Sequence, residues 1–329
     1  MLSLRRSTAW SLHCGVFLGA SYGVFVRWGM SALHSNLITV MSVAFVFLIP
    51  FAMGFVTVFT AQRESDHGVP MWIVLPWIPV LLGTAVSLFF LWEGWICVVM
   101  FVPVALVWSS IGGLIAGGVV RMIQSRAARS MSAACVLILP MMVSPWERNV
   151  FTYKDLRTVE TFVDINAPAE VIWRNIERVP AIRSEELHSS WSRRIGFPAP
   201  VEATLSYEGV GGIRHATFAR GVLFIETIDI WEPGRRLAFS IKAQGDQIPA
   251  TTLDEHVKVG GPYFDVLRGE YVLEPLGNGV TRLHLSSQHR LSTDFNWYAR
   301  LWTDAVMRDL QNTILQVIQK RGETAVHDY

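Results

Sequence analysis

The chain has 329 residues, 51% of them hydrophobic, with 28 Lys and Arg against 27 Asp and Glu. Those averages hide a split: residues 1–146 carry ten charged side chains, seven Arg with Glu64, Asp66 and Glu93, and residues 147–329 carry the other 45, 21 basic and 24 acidic. Neither part has the basic field that nucleic acid requires, so nucleic acid is excluded as a partner. Cys14, Cys97 and Cys135 all lie in the first part, so the second has no disulfide framework and no Cys metal site.

A bilayer core of ~30 Å takes about 20 apolar residues per helix. Five stretches qualify in order, giving an expected all-α membrane region of four or five helices over 1–146. Residues 8–26 are weakened by Ser11, His13 and Ser21; 37–59 are strongly apolar around Pro50; 71–92 and 95–120 are separated by Glu93-Gly94. Residues 130–143 are short and read equally as re-entrant or interfacial. Pro76, Pro79, Pro103 and Pro140 also fall inside these runs, where neighbouring helices must satisfy the freed carbonyls. The cluster Gly112-Gly113 to Ala116-Gly117-Gly118 reads as close helix packing, with a transport role the less favoured alternative. Glu93 is an intramembrane carboxylate, hence a functional candidate, unless the turn it occupies places it at the interface.

With five spans, Arg5, Arg6, Arg63, Arg121, Arg126 and Arg129 fall on one side, and Arg27 with Glu93 on the other. The positive-inside rule then puts the N-terminus in the cytoplasm and residues 147–329 on the extracytoplasmic side. With four spans the side depends on which terminal segment fails to cross. Arg5-Arg6 before an apolar run hints at a secretory or twin-Arg signal, but a first anchor helix explains it better. Leu12-His13-Cys14 has His where a lipidation site needs a small residue.

After Ser144-Pro145-Trp146 the pattern changes. Residues 158–165 alternate as a strand, Asn166-Ala167-Pro168 stops it, and 169–179 take helical spacing up to Pro180. Beyond a polar stretch at 183–194 come alternating segments at hairpin distances: 201–207, 213–219, 222–231, 236–243, 263–274 and 280–290. The loop 245–262 is long for a hairpin connection, a length typical of functional lids and of disordered segments. A long helix over 294–321 closes the domain, with Trp302, Val306, Leu310, Ile314 and Val317 as its apolar stripe. The expected fold is α+β: a curved antiparallel sheet around a long C-terminal helix, with a concave apolar pocket between them.

The run Phe162-Val163-Asp164-Ile165-Asn166-Ala167-Pro168-Ala169-Glu170-Val171-Ile172-Trp173 resembles the opening of the START-like superfamily, also labelled SRPBCC or polyketide cyclase/dehydrase-like. Gly209 to Arg214, Trp231-Glu232-Pro233 and Gly279 to Leu283 match in the same order, and the resemblance covers most of 158–322 but not the membrane region. It implies the helix-grip architecture and a pocket. It implies no particular reaction, because lipid and hormone carriers, cyclases and dehydratases share the fold.

No phosphate loop, His-Glu-x-x-His or Gly-x-Ser-x-Gly is present, so no cofactor or metal is expected. Adjacent residues rarely converge on one ion, so Asp254-Glu255-His256 is a poor metal cluster. On 222–231, Phe224, Glu226, Ile228 and Ile230 share a face, so Glu226 is either a buried acid with raised pKa or, as favoured, an ion pair with Arg214 or Arg220. His289 shares a face with Leu283, Leu285 and Ser287; it reads as an exposed or hydrogen-bonded ring, with general base the alternative, and His284 is expected in solvent. The candidate catalytic set is Glu226, His289 and Arg214. The candidate ligand wall is Trp173, Phe218, Phe224, Glu226, Phe239, Tyr271, Leu285, Trp302 and Val306.

Three functions follow. The first is a membrane-anchored pocket for a hydrophobic small molecule or lipid. The second is a cyclase or dehydratase using that pocket, which requires that Glu226 not be locked to an Arg. The third is an assembly or interaction protein whose cavity its own aromatics fill.

Overall fold

The computed structural model describes residues 2–32, 41–62, 67–123, 125–150, 154–244 and 258–327. The chain forms two compact units, residues 1–152 with 293–295, and residues 153–292 with 296–329.

The first unit is helical: α1 (Leu2–Ala32), α2 (Ile49–Ala61, entered through a π-helical turn at Ala44–Leu48), α3 (Val69–Val74), α4 (Trp77–Phe89), α5 (Trp95–Met122) and α6 (Arg126–Val150). Among the described residues, four helical stretches are long and apolar enough to cross a membrane: Ala44–Ala61, Val69–Phe89, Trp95–Met122 and Ala127–Glu147. The short fifth stretch therefore qualifies and the first does not, the reverse of the weighting that the sequence invited. α6 also continues to Val150, past the expected boundary at 146.

Close approach explains the small residues. A Cβ on Gly54 of α2 would lie 1.9 Å from the Ser109 carbonyl oxygen of α5, and one on Gly112 would lie 2.0 Å from that of Phe51. Gly112, Gly113 and Gly117 of α5 are thus positions of close packing, whereas Gly118 meets open space. Where Pro76 separates α3 from α4, the Ser110 hydroxyl donates to the Ile73 carbonyl (2.9 Å) and accepts from Trp77 Nε1 (2.9 Å). Glu93 is not a lone intramembrane acid: Arg27 Nε lies 2.7 Å from it, with both side chains 10% exposed. Glu147 is wholly buried in α6 and accepts from the Ala44 amide at 3.0 Å.

The second unit begins with β1 (Asp155–Ile165) and α7 (Ala169–Glu177). A 3₁₀ turn (Ser184–Glu186) and α8 (Trp191–Arg194) precede β2 (Pro200–Leu205), β3 (Ile213–Phe218), β4 (Val222–Glu232), β5 (Arg236–Gln244), β6 (Phe264–Gly277) and β7 (Val280–Leu291), and α9 (Asn296–His327) ends it. The seven strands form one antiparallel sheet in the order β1-β7-β6-β5-β4-β3-β2. The sheet curls as a half-barrel and grips α9. Each predicted strand is present within a few residues of its expected bounds.

Alternation places one face of each strand on α9. β7 alternates without interruption, with Thr281, Leu283, Leu285, Ser287, His289 and Leu291 buried. β4 does not, because its register with β5 shifts between Ile228 and Ile230. The extra residue reverses parity. Trp231, rather than the expected Ile230, therefore packs against the core, meeting Trp173 edge-on at 5.1 Å.

The apolar stripe of α9 is wider than expected: Val306 and Val317 are buried and Leu310 and Ile314 half-buried, as the pattern predicted. Met307, Gln311, Leu315, Ile318 and Gly322 are buried as well, whereas Trp302 is only partly so. Gln311 takes a central inward position because its polar groups are satisfied there. Nε2 donates to the Val159 carbonyl (3.0 Å) and Ser287 Oγ (2.9 Å), and Oε1 accepts from Thr161 (3.1 Å).

Near the C-terminal end of α9, Arg321 grips Glu186 through two hydrogen bonds (2.6 and 3.0 Å) and the carbonyls of Pro180 (3.0 Å) and Ala181 (3.2 Å). The Arg321 hydrogen bonds hold the Glu186 carboxyl down at about 2, with burial opposing and the Arg183 amide assisting. A depressed carboxyl stabilises the fold above its unfolded pKa and loses that contribution as pH falls through its folded value. Stability should therefore fall between about pH 4.5 and 2. Glu186→Gln should lower the melting temperature at neutral pH and flatten that acid limb, read by thermal unfolding of the solubilised chain across pH.

Candidate functional site

The half-barrel is filled unevenly. At the strand ends around Ile165, Thr281 and Leu273, the core is solid: Ile165, Ile172, Trp173, Ile176, Ile228, Leu237, Leu283, Leu315 and Ile318 pack as one cluster. Toward the opposite ends a cavity of about 100 Å³ remains, lined from β2 to β7 and by α9. Pro200 and Ala203 come from β2, Arg214, Ala216 and Phe218 from β3, and Phe224 and Glu226 from β4. Phe239 and Ile241 come from β5, Val266, Gly269 and Tyr271 from β6, and Leu285 and Ser287 from β7. Met307, Leu310, Gln311 and Ile314 of α9 form the facing wall.

Three small residues shape this hollow. Ala203 and Ala216 leave room where larger side chains would reach α9. Gly269 lets the Phe239 ring lie against β6, where a Cβ would come within 2.5 Å of it. The cavity is bounded by Phe239, Phe218 against Phe224 (edge-on, 5.2 Å), and aliphatic side chains.

Its polar element is a buried ion pair. Arg214 and Glu226 face each other directly across β3 and β4, and the guanidinium donates to the carboxylate. The two side chains are only 4% and 7% exposed. Arg214 also lies over the Phe239 ring at 5.5 Å and near the Tyr271 phenol, and its Nε has no hydrogen-bond partner. Burial lifts the Glu226 carboxyl above its ordinary range, and Arg214 opposes that. Burial acts against the Arg214 charge, and Glu226 followed by Tyr271 holds it protonated. Glu226 is thus locked to Arg214, the outcome under which it cannot serve as a free acid or base.

The expected site is gathered in part. Phe218, Phe224, Glu226, Phe239, Tyr271, Leu285 and Arg214 share the cavity wall. Trp173 lies in the solid core against Trp231. Trp302 and Val306 are outside the lining, which α9 supplies further along its length from Met307, Leu310, Gln311 and Ile314.

His289 corrects its expectation: it is wholly buried, and neither ring nitrogen has a hydrogen-bond partner. It packs 5.5 Å from Phe264, with Nε2 3.8 Å from Asp304, which Arg157 binds through two hydrogen bonds of 3.0 and 2.6 Å. Burial lowers its pKa, with Asp304 opposing, so the ring is neutral at ordinary pH. His284 is not simply solvated but bridges Glu160 (2.9 Å) and Glu274 (3.3 Å) on the outer face. Asp254-Glu255-His256 and residues 245–257 of the long loop lie outside the described residues. Sequence reasoning missed Gln311, Met307 and the small residues of the wall. The signal for the last was three residues without bulk, Ala203, Ala216 and Gly269, on strands otherwise rich in large side chains.

No protein-family model matches the chain, and no curated protein matches it. Solved structures do. The chain is similar to an aromatase/cyclase from Streptomyces sp. R1128 (16% identity, 52% of this chain, 96% of that one, TM-score 0.33). It is similar to a START superfamily protein from Mycobacterium smegmatis (10%, 51%, 98%, 0.34). It is also similar to a norcoclaurine synthase from Thalictrum flavum (14%, 54%, 99%, 0.33).

Removing one partner of a buried pair leaves an uncompensated charge and costs about 3–5 kcal/mol, whereas replacing both by apolar residues is often neutral or better. Arg214→Met alone should therefore lower the melting temperature sharply. Arg214→Met with Glu226→Leu should restore most of it, as read by thermal unfolding in detergent.

Proposed function

We propose that the second unit binds a hydrophobic small molecule or lipid in the hollow between sheet and α9, and that the helical unit anchors it to a membrane. The observation that carries this reading is the cavity itself. It draws its wall from six strands and a helix, is apolar nearly throughout, and holds a buried ion pair and a phenol among aromatic rings, the composition of a small-molecule pocket. Four apolar helices of spanning length support the anchor. Tethering keeps such a pocket at high effective concentration near apolar compounds dissolved in the bilayer.

The cavity of about 100 Å³ is smaller than the ~150 Å³ hollow that admits benzene. It has room for the tip of a longer molecule, and a guest of one ring or more requires repacking of its lining. The cyclase or dehydratase reading lacks support at its centre, because Glu226 is already paired. The same small volume favours the assembly reading as second choice.

The full chain, purified in mild detergent and examined by native mass spectrometry, should carry an apolar adduct. Ala216→Leu, which fills the hollow, should abolish the adduct while leaving the melting temperature of the empty protein unchanged or raised. A chain that neither retains an adduct nor gains thermal stability with any apolar compound supports the assembly reading instead. As to side, α1 packs along α2, where a Cβ on Gly15 would meet the Thr57 carbonyl oxygen at 2.4 Å. We take it as the fifth crossing helix, which places the second unit outside the cytoplasm. A reporter fused after Tyr329 should be active only in its extracytoplasmic form.

A further inference from the structure

The two ends of the half-barrel differ in what they expose. The strand pairing fixes which residues share an end. Asp155 of β1 pairs with Leu291 of β7, Leu291 with Phe264 of β6, and Leu223 of β4 with Gln244 of β5. The start of β1, the end of β7 and, five residues later, the start of α9 therefore lie at one end. The turns at 206–212, 233–235 and 277–279 lie at the other.

At the first end, the opening turns of α9 read Asn296-Trp297-Tyr298-Ala299-Arg300-Leu301-Trp302. Trp297 is 55% exposed and Leu301, one turn on, is 62% exposed. Arg300 lies exposed between them, and Lys154 is exposed just before β1. Single exposed apolar residues are ordinary. A Trp and a Leu at i and i+4 with cations beside them are the composition of a helix segment resting at a lipid headgroup layer.

Chain length supplies the occupant. Only residues 151–154 separate α6 from β1, so at ~3.6 Å per residue this end of the sheet begins within about 18 Å of the end of α6. Resting on the reading of α6 as a membrane span, we propose that the first two turns of α9, through Trp297 and Leu301, dock into the headgroup layer of the bilayer that holds the helical unit. Arg300 and Lys154 then meet lipid phosphates. Docking presents to the membrane the end of the half-barrel toward which the cavity lies, because Pro200, Phe218, Phe224 and Val266 of its wall sit near that end of their strands.

The test is site-directed spin labelling of the full chain in nanodiscs of mixed neutral and anionic lipid, with Cys14, Cys97 and Cys135 replaced by Ser. Single cysteines replace Leu301 or Trp297 at the docking helix, Leu276 at the opposite end, and Leu82 in α4. Power saturation compares access by oxygen with access by a water-soluble nickel chelate. Labels at 301 and 297 should favour oxygen several-fold over the label at 276, and the label at 82 more strongly still. Lipid access at 82 with water-like values at 301 and 297 overturns the docking proposal and leaves the membrane reading standing. Water-like values at 82 overturn both. Lipid-like values at 276 as well overturn docking by this end alone.

Discussion

An open sheet has two edges, and each leaves a row of N–H and C=O groups without strand partners. In this half-barrel both edges are partly covered, and α9 links the two covers. β1 is one edge. α9 lies along it, with Gln311 donating to the Val159 carbonyl and Gln319 to that of Asp164 (3.1 Å), and with Arg157 bound to Asp304. β2 is the other edge. Residues 179–182 cover it through reciprocal bonds between Val179 and Ala203 (2.8 Å each) and one from Ile182 to Val201 (2.7 Å). Arg321 of α9 then holds the carbonyls of Pro180 and Ala181. The circuit from one edge through the helix to the other keeps the sheet curled. A curled sheet cannot bring every side chain to one straight helix, so a hollow forms where the residues are small.

Much of this was legible in sequence. The six hairpin-spaced segments alternate because each has one face on α9, and that alternation located them. The faces of β4 and β7 followed from parity, which is why Phe224 was placed with Glu226, and Leu285 with Ser287. Parity failed at Asp229, where one extra residue exchanges Ile230 for Trp231. No local composition marks that position as a bulge, since the shift belongs to the pairing with β5. The α9 stripe was incomplete for a different reason. A stripe sought through apolar residues finds Val306, Leu310, Ile314 and Val317, which do face inward, but passes over buried Gln311, whose amide serves an edge strand that the sequence does not identify as an edge.

His289 and Glu226 show how context divides two buried polar residues. Glu226 was placed on the inner face, whereas His289, assigned to the face of Leu283 and Leu285, was expected to be exposed or hydrogen-bonded and is neither. Glu226 meets Arg214 in cross-strand register, so its charge is compensated where it lies. His289 stands opposite Arg157 in register, and that guanidinium occupies the Asp304 carboxylate 3.8 Å from the ring, leaving the imidazole neutral and without a hydrogen bond. A neutral imidazole tolerates such a site at the cost of its own lost hydrogen bonds, about 1–3 kcal/mol for an unsatisfied group. An ionised carboxylate there would be far more costly. Register decided which of the two meets a partner of opposite charge across the strands.

The hollow and the ion pair explain each other. A buried pair is rarely worth more than the apolar residues that would fill its place, so Arg214 and Glu226 are weak stabilisers of the fold. Their side chains nevertheless occupy positions facing α9 where Leu or Phe would extend the core. Ala203, Ala216 and Gly269 around them withhold bulk in the same region, and beyond it the core becomes solid again through Leu283, Leu315 and Ile318. Stability alone would favour larger side chains at these positions. Their concentration in one region sacrifices packing at one place in the barrel, and the lost packing forms a chamber with an apolar wall and one compensated polar point.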